Sequence, residues 1–64
     1  MKVYEFIERA VDDWFDVAIF DYTKGEVVFR GSVDSIPVLL GAQTLISWQI
    51  LDKYNVWINI ESES

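Results

Sequence analysis

The spacing of apolar side chains changes near Trp14, and this change most strongly limits what the chain can fold into. Before it, apolar residues recur three or four positions apart, which is the spacing of one helical face. After it, they recur at every second position, which is the spacing of one face of a strand. We therefore expect one helix at the start of the chain, followed by strands.

Residues 2–13 are predicted to form an amphipathic helix. Its apolar stripe is Val3, Phe6, Ile7, Ala10 and Val11. These positions follow the i, i+3, i+4, i+7, i+8 pattern of a single face that packs against a core. Acidic residues Glu5, Glu8 and Asp12 lie on the opposite side of the same helix.

A first hairpin is predicted between Phe15 and Val33. In its first strand, Phe15, Val17 and Ile19 share one face, whereas Asp16, Ala18, Phe20 and Tyr22 share the other. In its second strand, Val27, Phe29 and Val33 oppose Val28 and Arg30. Gly25 suits the left-handed conformation of a short hairpin loop, and Gly31 marks a bulge or a close approach of the backbone.

The segment "VDSIPVLLG" carries the only proline of the chain and is interpreted as a structural corner. Asp34 or Ser35 can cap a helix, and Pro37 is tolerated in a first helical turn. Gly41 is expected to end this helix in a left-handed conformation. One or two helical turns would anchor Ile36, Leu39 and Leu40 in the core.

A second hairpin is predicted from "QTLISWQIL" and "VWINIE", which are joined by a "DKYN" turn. A continuous helix from Pro37 to Leu51 is the competing interpretation, but the alternation of apolar residues favours strands. The chain is thus expected to be one α+β domain, residues 1–64, with residues 61–64 as a frayed tail. The N-terminal helix would pack on a four-stranded antiparallel sheet made of two hairpins joined by a short helical turn.

The same run of elements resembles small uncharacterised proteins of Gram-positive gut bacteria and of their phages and prophages. The similar pieces are Val3–Glu8, Val17–Tyr22, Val27–Pro37 and Leu45–Ile60. The resemblance implies the fold outline given above and an origin on a mobile genetic element. It implies no activity and no site residue, because the similar positions are mostly core and turn residues.

Composition excludes several classes of function. The chain has no cysteine and no histidine, so thiolate zinc sites and histidine-based catalysis are impossible. The net charge of −6 disfavours direct binding to nucleic acids or anionic membranes, which require basic patches. No apolar run approaches the roughly 20 residues of a membrane span. A cytoplasmic protein without a cofactor is expected.

The acidic residues raise a second set of hypotheses. An acidic face made of Glu5, Glu8, Asp12, Asp13 and Asp16 could imitate nucleic-acid phosphates and occupy a basic surface of a DNA- or RNA-binding protein. A solvated helix face is the simpler explanation. The "DDWFD" run lacks the ligand spacing and the glycine of a calcium loop. Catalysis is disfavoured too, since Ser32, Ser35 and Ser47 have no histidine or cysteine to assist them.

A surplus of aromatic residues gives the leading hypothesis. One helix covers one face of a sheet, so the other face would expose an aromatic surface made of Phe20, Tyr22, Val28, Trp48 and Trp57. Monomers seldom leave such an apolar patch open. The sequence therefore predicts a protein-binding or self-association module, most often a homodimer. Two alternatives stay open: residues 35–41 cover this face, or the strand phases are shifted by one residue.

Overall fold

The computed structural model describes residues 1–10 and 15–62. The elements are α1 (Val3–Ala10), β1 (Asp16–Asp21), β2 (Glu26–Ser32), a 3-10 turn (Val33–Ser35), α2 (Val38–Gly41), β3 (Leu45–Ile50) and β4 (Asn55–Ile60). The α+β class with an N-terminal helix and four strands is thus confirmed, but the connection predicted as one short helical turn contains a 3-10 turn and a separate α2. Residues 11–13, the end of the predicted first helix, lie outside the described residues.

The sheet is mixed, so the prediction of a fully antiparallel sheet was wrong. Its strand order is β2-β1-β4-β3. Each hairpin is antiparallel, but β1 and β4 pair in parallel at the centre. A strand buries the same alternate residues whether it runs parallel or antiparallel to its neighbour. The spacing of apolar residues therefore predicts which face of a strand is buried, but not the direction of the strand in the sheet. The long connection through α2 lets the second hairpin return with β4 beside β1.

The core lies between α1 and one face of the sheet. Its buried residues are Val3, Phe6, Val17, Ile19, Val56, Ile58 and Ile60. The parallel register sets Val17 beside Val56 and Ile19 beside Ile58. The predicted phase of β1 is therefore confirmed, because its inward residues are the ones assigned to the core face.

The predicted apolar stripe of α1 is confirmed for its described side chains: Val3 and Phe6 are buried and Ile7 packs on the core. The Glu5 side chain stabilises the start of this helix. Its carboxylate accepts a hydrogen bond from the Lys2 backbone N–H at 3.0 Å. This bond satisfies a donor at the helix start that would otherwise lack a partner.

The two hairpin turns form for the predicted reasons. Gly25 has a φ of 68° and donates its N–H to the Asp21 carbonyl at 2.8 Å. In the second turn, the Asp52 carboxylate accepts hydrogen bonds from the Tyr54 backbone N–H and from the Asn55 side chain. The Tyr54 bond is the main reason that the pKa of Asp52 lies below its usual value.

A bulge in β2 overturns part of the predicted alternation. Ile19 pairs with Phe29, whereas Phe20 pairs with Val27, so Val28 is an extra residue between them. Val28 consequently packs against the core instead of joining the opposite face. Gly31 marks a close approach: a Cβ at this position would lie 3.3 Å from the Phe29 ring.

The connection between the hairpins differs from the prediction in several residues. Pro37 is itself the N-cap of α2. Asp34 and Ser35 lie in the preceding 3-10 turn and do not cap it.

Ile36 and Leu40 pack against the core as expected, but Leu39 is 79% exposed. Gly41 has no left-handed conformation; it is buried in α2, and a Cβ there would lie 3.6 Å from the Cβ of Tyr4. Gly41 is the last residue of α2 and packs beside Tyr4 of α1, at a distance that a Cβ would also tolerate.

A buried carboxylate ties the end of β4 to the first hairpin. Asp21 is almost fully buried and accepts hydrogen bonds from the Ser62 hydroxyl at 2.6 Å and from the Thr23 N–H at 2.9 Å. The Thr23 hydroxyl in turn donates to the Ser62 carbonyl at 2.6 Å. The predicted frayed tail is therefore held at Ser62, and residues 63–64 lie outside the described chain.

The Asp21 bonds should make stability depend on pH. The Ser62 hydroxyl bond is the largest cause that lowers the pKa of Asp21 below its usual 3.8, while burial opposes it. A carboxyl group with a lowered folded-state pKa stabilises the fold above its unfolded pKa and loses that effect as pH falls through the folded value. When the pH is lowered from 6 to about 3, we expect the urea concentration at the unfolding midpoint to fall by less in Asp21→Asn than in the natural chain. An equal fall in both proteins would contradict this assignment.

Candidate functional site

The sheet face opposite α1, called here the open face, carries a cluster of aromatic rings. Phe20 stacks on Trp57 with ring centroids 6.0 Å apart and an angle of 25° between the planes. Tyr22 meets Phe20 edge to face at 5.3 Å. Tyr22 is 54% exposed, and Phe20 and Trp57 are half-buried. We call these three residues the aromatic cluster.

The Trp57 ring is held by a chain of polar side chains across the open face. Its indole Nε1–H donates to the side-chain oxygen Oδ1 of Asn59 at 2.8 Å, and the Asn59 side-chain Nδ2 donates to the Ser47 hydroxyl at 3.0 Å. These bonds join β4 to β3 and limit the rotation of Trp57. The ring therefore stands preorganised on a rigid strand, which reduces the entropy lost on binding.

A shallow depression of about 400 Å³ adjoins the cluster. Its lining includes Ala18, Arg30, Leu51 and Trp57, with Asp16 at its border. An aromatic wall next to both a positive and a negative side chain is typical of protein-binding surfaces, where aromatic residues and arginine are enriched.

Two residues assigned to this face from the sequence lie elsewhere. Trp48 pairs with Ile58, and its ring contacts Phe6 of α1 in a tilted arrangement with centroids 5.0 Å apart, so it lies on the helix side. From Ser47 to Ile50 the register is regular, so Trp48 shares the helix side with Ile50; a bulge between Leu45 and Ser47 puts Leu45 on that side as well. Val28 leaves the open face through the bulge in β2. Phe20, Tyr22 and Trp57 are confirmed on the open face.

Both alternatives to an exposed aromatic face fail. Residues 35–41 do not cover this face, because Ile36 and Leu40 contact the core on the helix side. A uniform shift of phase is excluded for the central strands, where the alternate residues Val17, Ile19, Val56, Ile58 and Ile60 are buried. Within residues 1–10 and 15–62, no helix packs on the open face.

The predicted acidic face is divided in the structure. Glu5 and Glu8 lie on α1, and Glu5 is engaged by the Lys2 N–H. Asp16 alternates with buried Val17 and so belongs to the open side of the sheet. Asp12 and Asp13 lie outside the described residues. The described carboxylates are therefore not brought together on one surface.

The hydroxyl groups of Ser32, Ser35 and Ser47 bond to partners that are not general bases. The hydroxyls of Ser32 and Ser35 lie 3.1 Å apart and bond to each other, and Ser47 accepts from the Asn59 amide. In the described part of the chain, no three acidic residues are grouped so that they could hold a metal ion. The open face presents flat rings, one hydrogen-bonded amide chain and one guanidinium.

A second concavity lies on the other side of the molecule, between α1 and α2. It has a volume of about 370 Å³ and is lined by apolar residues such as Ile7, Ile36 and Val38, with Glu8 as its charged member. Along α1 its lining is Val3, Tyr4, Ile7 and Glu8.

Sequence reasoning did not identify the hydrogen-bonded chain of Trp57, Asn59 and Ser47. It also did not identify Leu51 as a residue that lines the depression. Asn59 and Ser47 are polar residues inside apolar runs, and such interruptions are the signal that could have marked a hydrogen-bonded pair. Arg30 was placed on the open side, although not as the border of a depression. Its position depends on register, which the sequence alone does not fix.

Comparisons with protein-family models, with curated proteins and with solved structures gave no match to this chain. No helix among residues 1–10 and 15–62 is both long and apolar enough to cross a membrane.

Proposed function

We propose that this protein is a non-enzymatic binding module of the cytoplasm that docks another protein through the aromatic cluster. The observation that carries the proposal is the exposed, hydrogen-bonded arrangement of Phe20, Tyr22 and Trp57 on a face that no described helix covers. Preorganised aromatic side chains supply most of the binding energy at typical interfaces. The resemblance to phage and prophage proteins makes a bacterial or phage protein the partner to seek first.

Capture with matched variants tests this function. The whole chain is immobilised and exposed to an extract of a bacterium that carries it, beside Tyr22→Ser and Val38→Ser. Val38 is 87% exposed on α2, far from the cluster, and so serves as the control. We expect a protein that is retained by the natural chain and by Val38→Ser but lost with Tyr22→Ser. Equal retention by all three proteins would refute docking through this face.

An acidic decoy for a basic nucleic-acid-binding surface is the second candidate. The net charge of −6 and the exposed Glu8 favour it. The same capture distinguishes the two, since a decoy is released by moderate salt and by Glu8→Gln. Docking by the aromatic cluster depends little on salt and is unaffected by that variant.

A further inference from the structure

The outer edge of β3 is the least protected part of the sheet. β3 is an edge strand, and Lys2 bridges only its start, opposite Thr44. From Trp48 to Ile50, β4 lies on the inner side of β3, and no strand of residues 1–10 or 15–62 lies on its outer side. An edge of this kind presents backbone donors and acceptors that are ready to pair with another strand.

The direction of these backbone groups follows from the hairpin. The Leu51 N–H donates to the Asn55 carbonyl at 2.9 Å, so Leu51 is a hydrogen-bonded position of the β3–β4 pair. Main-chain groups alternate in direction along a strand, so those of Gln49 also point toward β4. The N–H and C=O groups of Trp48 and Ile50 therefore point outward from the sheet.

The two edges of the sheet differ in protection. β2, at the opposite edge, carries Glu26, Arg30 and a bulge, which are features that natural sheets use to prevent edge pairing. By contrast, residues 42–51 contain no charged side chain and no proline, although the whole chain has a net charge of −6. The β3 edge thus lets two acidic molecules approach without placing like charges in contact.

We propose that a second copy of this chain pairs antiparallel with the outer edge of β3 and makes one continuous sheet. In the symmetric register, Trp48 lies opposite Ile50 of the other copy, and each such pair exchanges both backbone hydrogen bonds. Gln49 then lies opposite its own counterpart at the twofold axis. Its amide both donates and accepts, so the two glutamine side chains can bond to each other.

The side chains on the helix side of β3 favour this occupant. Trp48 and Ile50 are 48% and 51% exposed although they adjoin the core. The pairing would place Trp48 of one copy beside Ile50 of the other across the new interface. Contact between two strands is small, below the roughly 1,200 Å² of standard interfaces, so the dimer should be weak. Because both copies are acidic, added salt should strengthen it.

Sedimentation equilibrium tests the pairing from about 10 μM to 1 mM, a range that suits a weak dimer. The natural chain should dimerise, whereas Ile50→Lys, which puts a charge on the edge, should dimerise about tenfold more weakly or not at all. Val38→Lys makes the same charge change on an exposed residue far from β3 and should leave dimerisation unchanged. A natural chain that stays monomeric over this range overturns the proposal.

A cysteine at the axis tests the register without relying on stability. The chain has no cysteine, so Gln49→Cys introduces a single thiol. Opposed residues at such a non-hydrogen-bonded position have Cα atoms about 4.5 Å apart, which is within the range of a disulfide. Gln49→Cys should cross-link much faster than the exposed control Ser35→Cys, and adding Ile50→Lys should abolish the difference. Equal cross-linking rates for the two cysteine variants overturn the register.

The inference does not depend on the proposed function, and the experiments separate them. If Tyr22→Ser abolishes dimerisation while Ile50→Lys does not, two copies meet through the open face. That result overturns the edge pairing and leaves docking by the aromatic cluster intact. Conversely, loss of dimerisation in Ile50→Lys with unchanged capture of a partner supports the edge pairing alone.

Discussion

Replacing Ile19 by alanine is expected to lower the free energy of unfolding by about 2–5 kcal/mol. Ile19 is fully buried in the middle of β1, where it pairs with Ile58 on one side and with Phe29 on the other. Strands on both sides fix the surrounding backbone, so the site cannot collapse around the missing methyl groups. A chain of this length has a total stability of roughly 3–10 kcal/mol, so the variant should lose a large share of it.

Urea denaturation followed by tryptophan fluorescence measures this loss. Val38→Ala serves as the control, because Val38 is exposed on α2 and its truncation should change stability by less than about 0.5 kcal/mol. If the Ile19 variant lost less than about 1 kcal/mol, the central position of β1 in the sheet would be wrong.

Replacing Trp57 by alanine is expected to weaken binding of the docked protein about 30-fold, which corresponds to the roughly 2 kcal/mol of an interface hot spot. Trp57 stacks on Phe20 and is fixed by Asn59, so its loss removes the preorganised ring and loosens its neighbour. Titration calorimetry with the captured protein measures the change. Circular dichroism verifies that the variant remains folded.

The matched control is Gln49→Ala, which alters the residue directly opposite Trp57 on β3. It removes a polar side chain from the same face but no ring, so it should reduce affinity by less than about threefold. Repeating both titrations at raised salt should give the same ratio, because apolar contact is screened little. If the ratio of the two affinities falls toward one at raised salt, the acidic decoy is favoured instead.

Helix position and strand phase could be predicted because each depends on local spacing. The Val3–Phe6–Ile7 spacing predicts which side of α1 is buried, and Val17 and Ile19 predict the inward face of β1. Gly25 predicts its own turn, since a short hairpin loop needs a residue that tolerates positive φ. Each of these signals depends only on residues within one turn or one strand.

The direction of the central pair and the two bulges could not be predicted for the same reason. Val17 pairs with Val56 in parallel, but an antiparallel arrangement would bury the same residues. A bulge changes the face of every residue beyond it. Gly31 signals an irregularity but lies three positions from the extra residue Val28, and residues 42–51 around the bulge of β3 contain no glycine or proline. Strand direction and register are set by contacts between distant segments.

The candidate site was predicted to the extent that it lies on the central strands. Phe20, Tyr22 and Trp57 are on the open face because the alternation of β1 and β4 is uninterrupted on that side. Trp48 was misplaced because both alternate sets of residues in β3 contain large apolar side chains, so the alternation does not show which set faces the core. Its true neighbour, Phe6, comes from α1, and no pattern within β3 indicates that contact.

The parallel pairing of β1 with β4 also decides when the molecule can become stable during synthesis. Every residue of β1 pairs with one 39 positions later, as Asp16 does with Asn55. A nascent chain that ends before residue 55 has only β2 beside β1, and an isolated hairpin is marginal in water. Such long-range closure is slow relative to helix formation. On the ribosome, the core face of β1, with Val17 and Ile19, therefore remains in water until β4 has emerged.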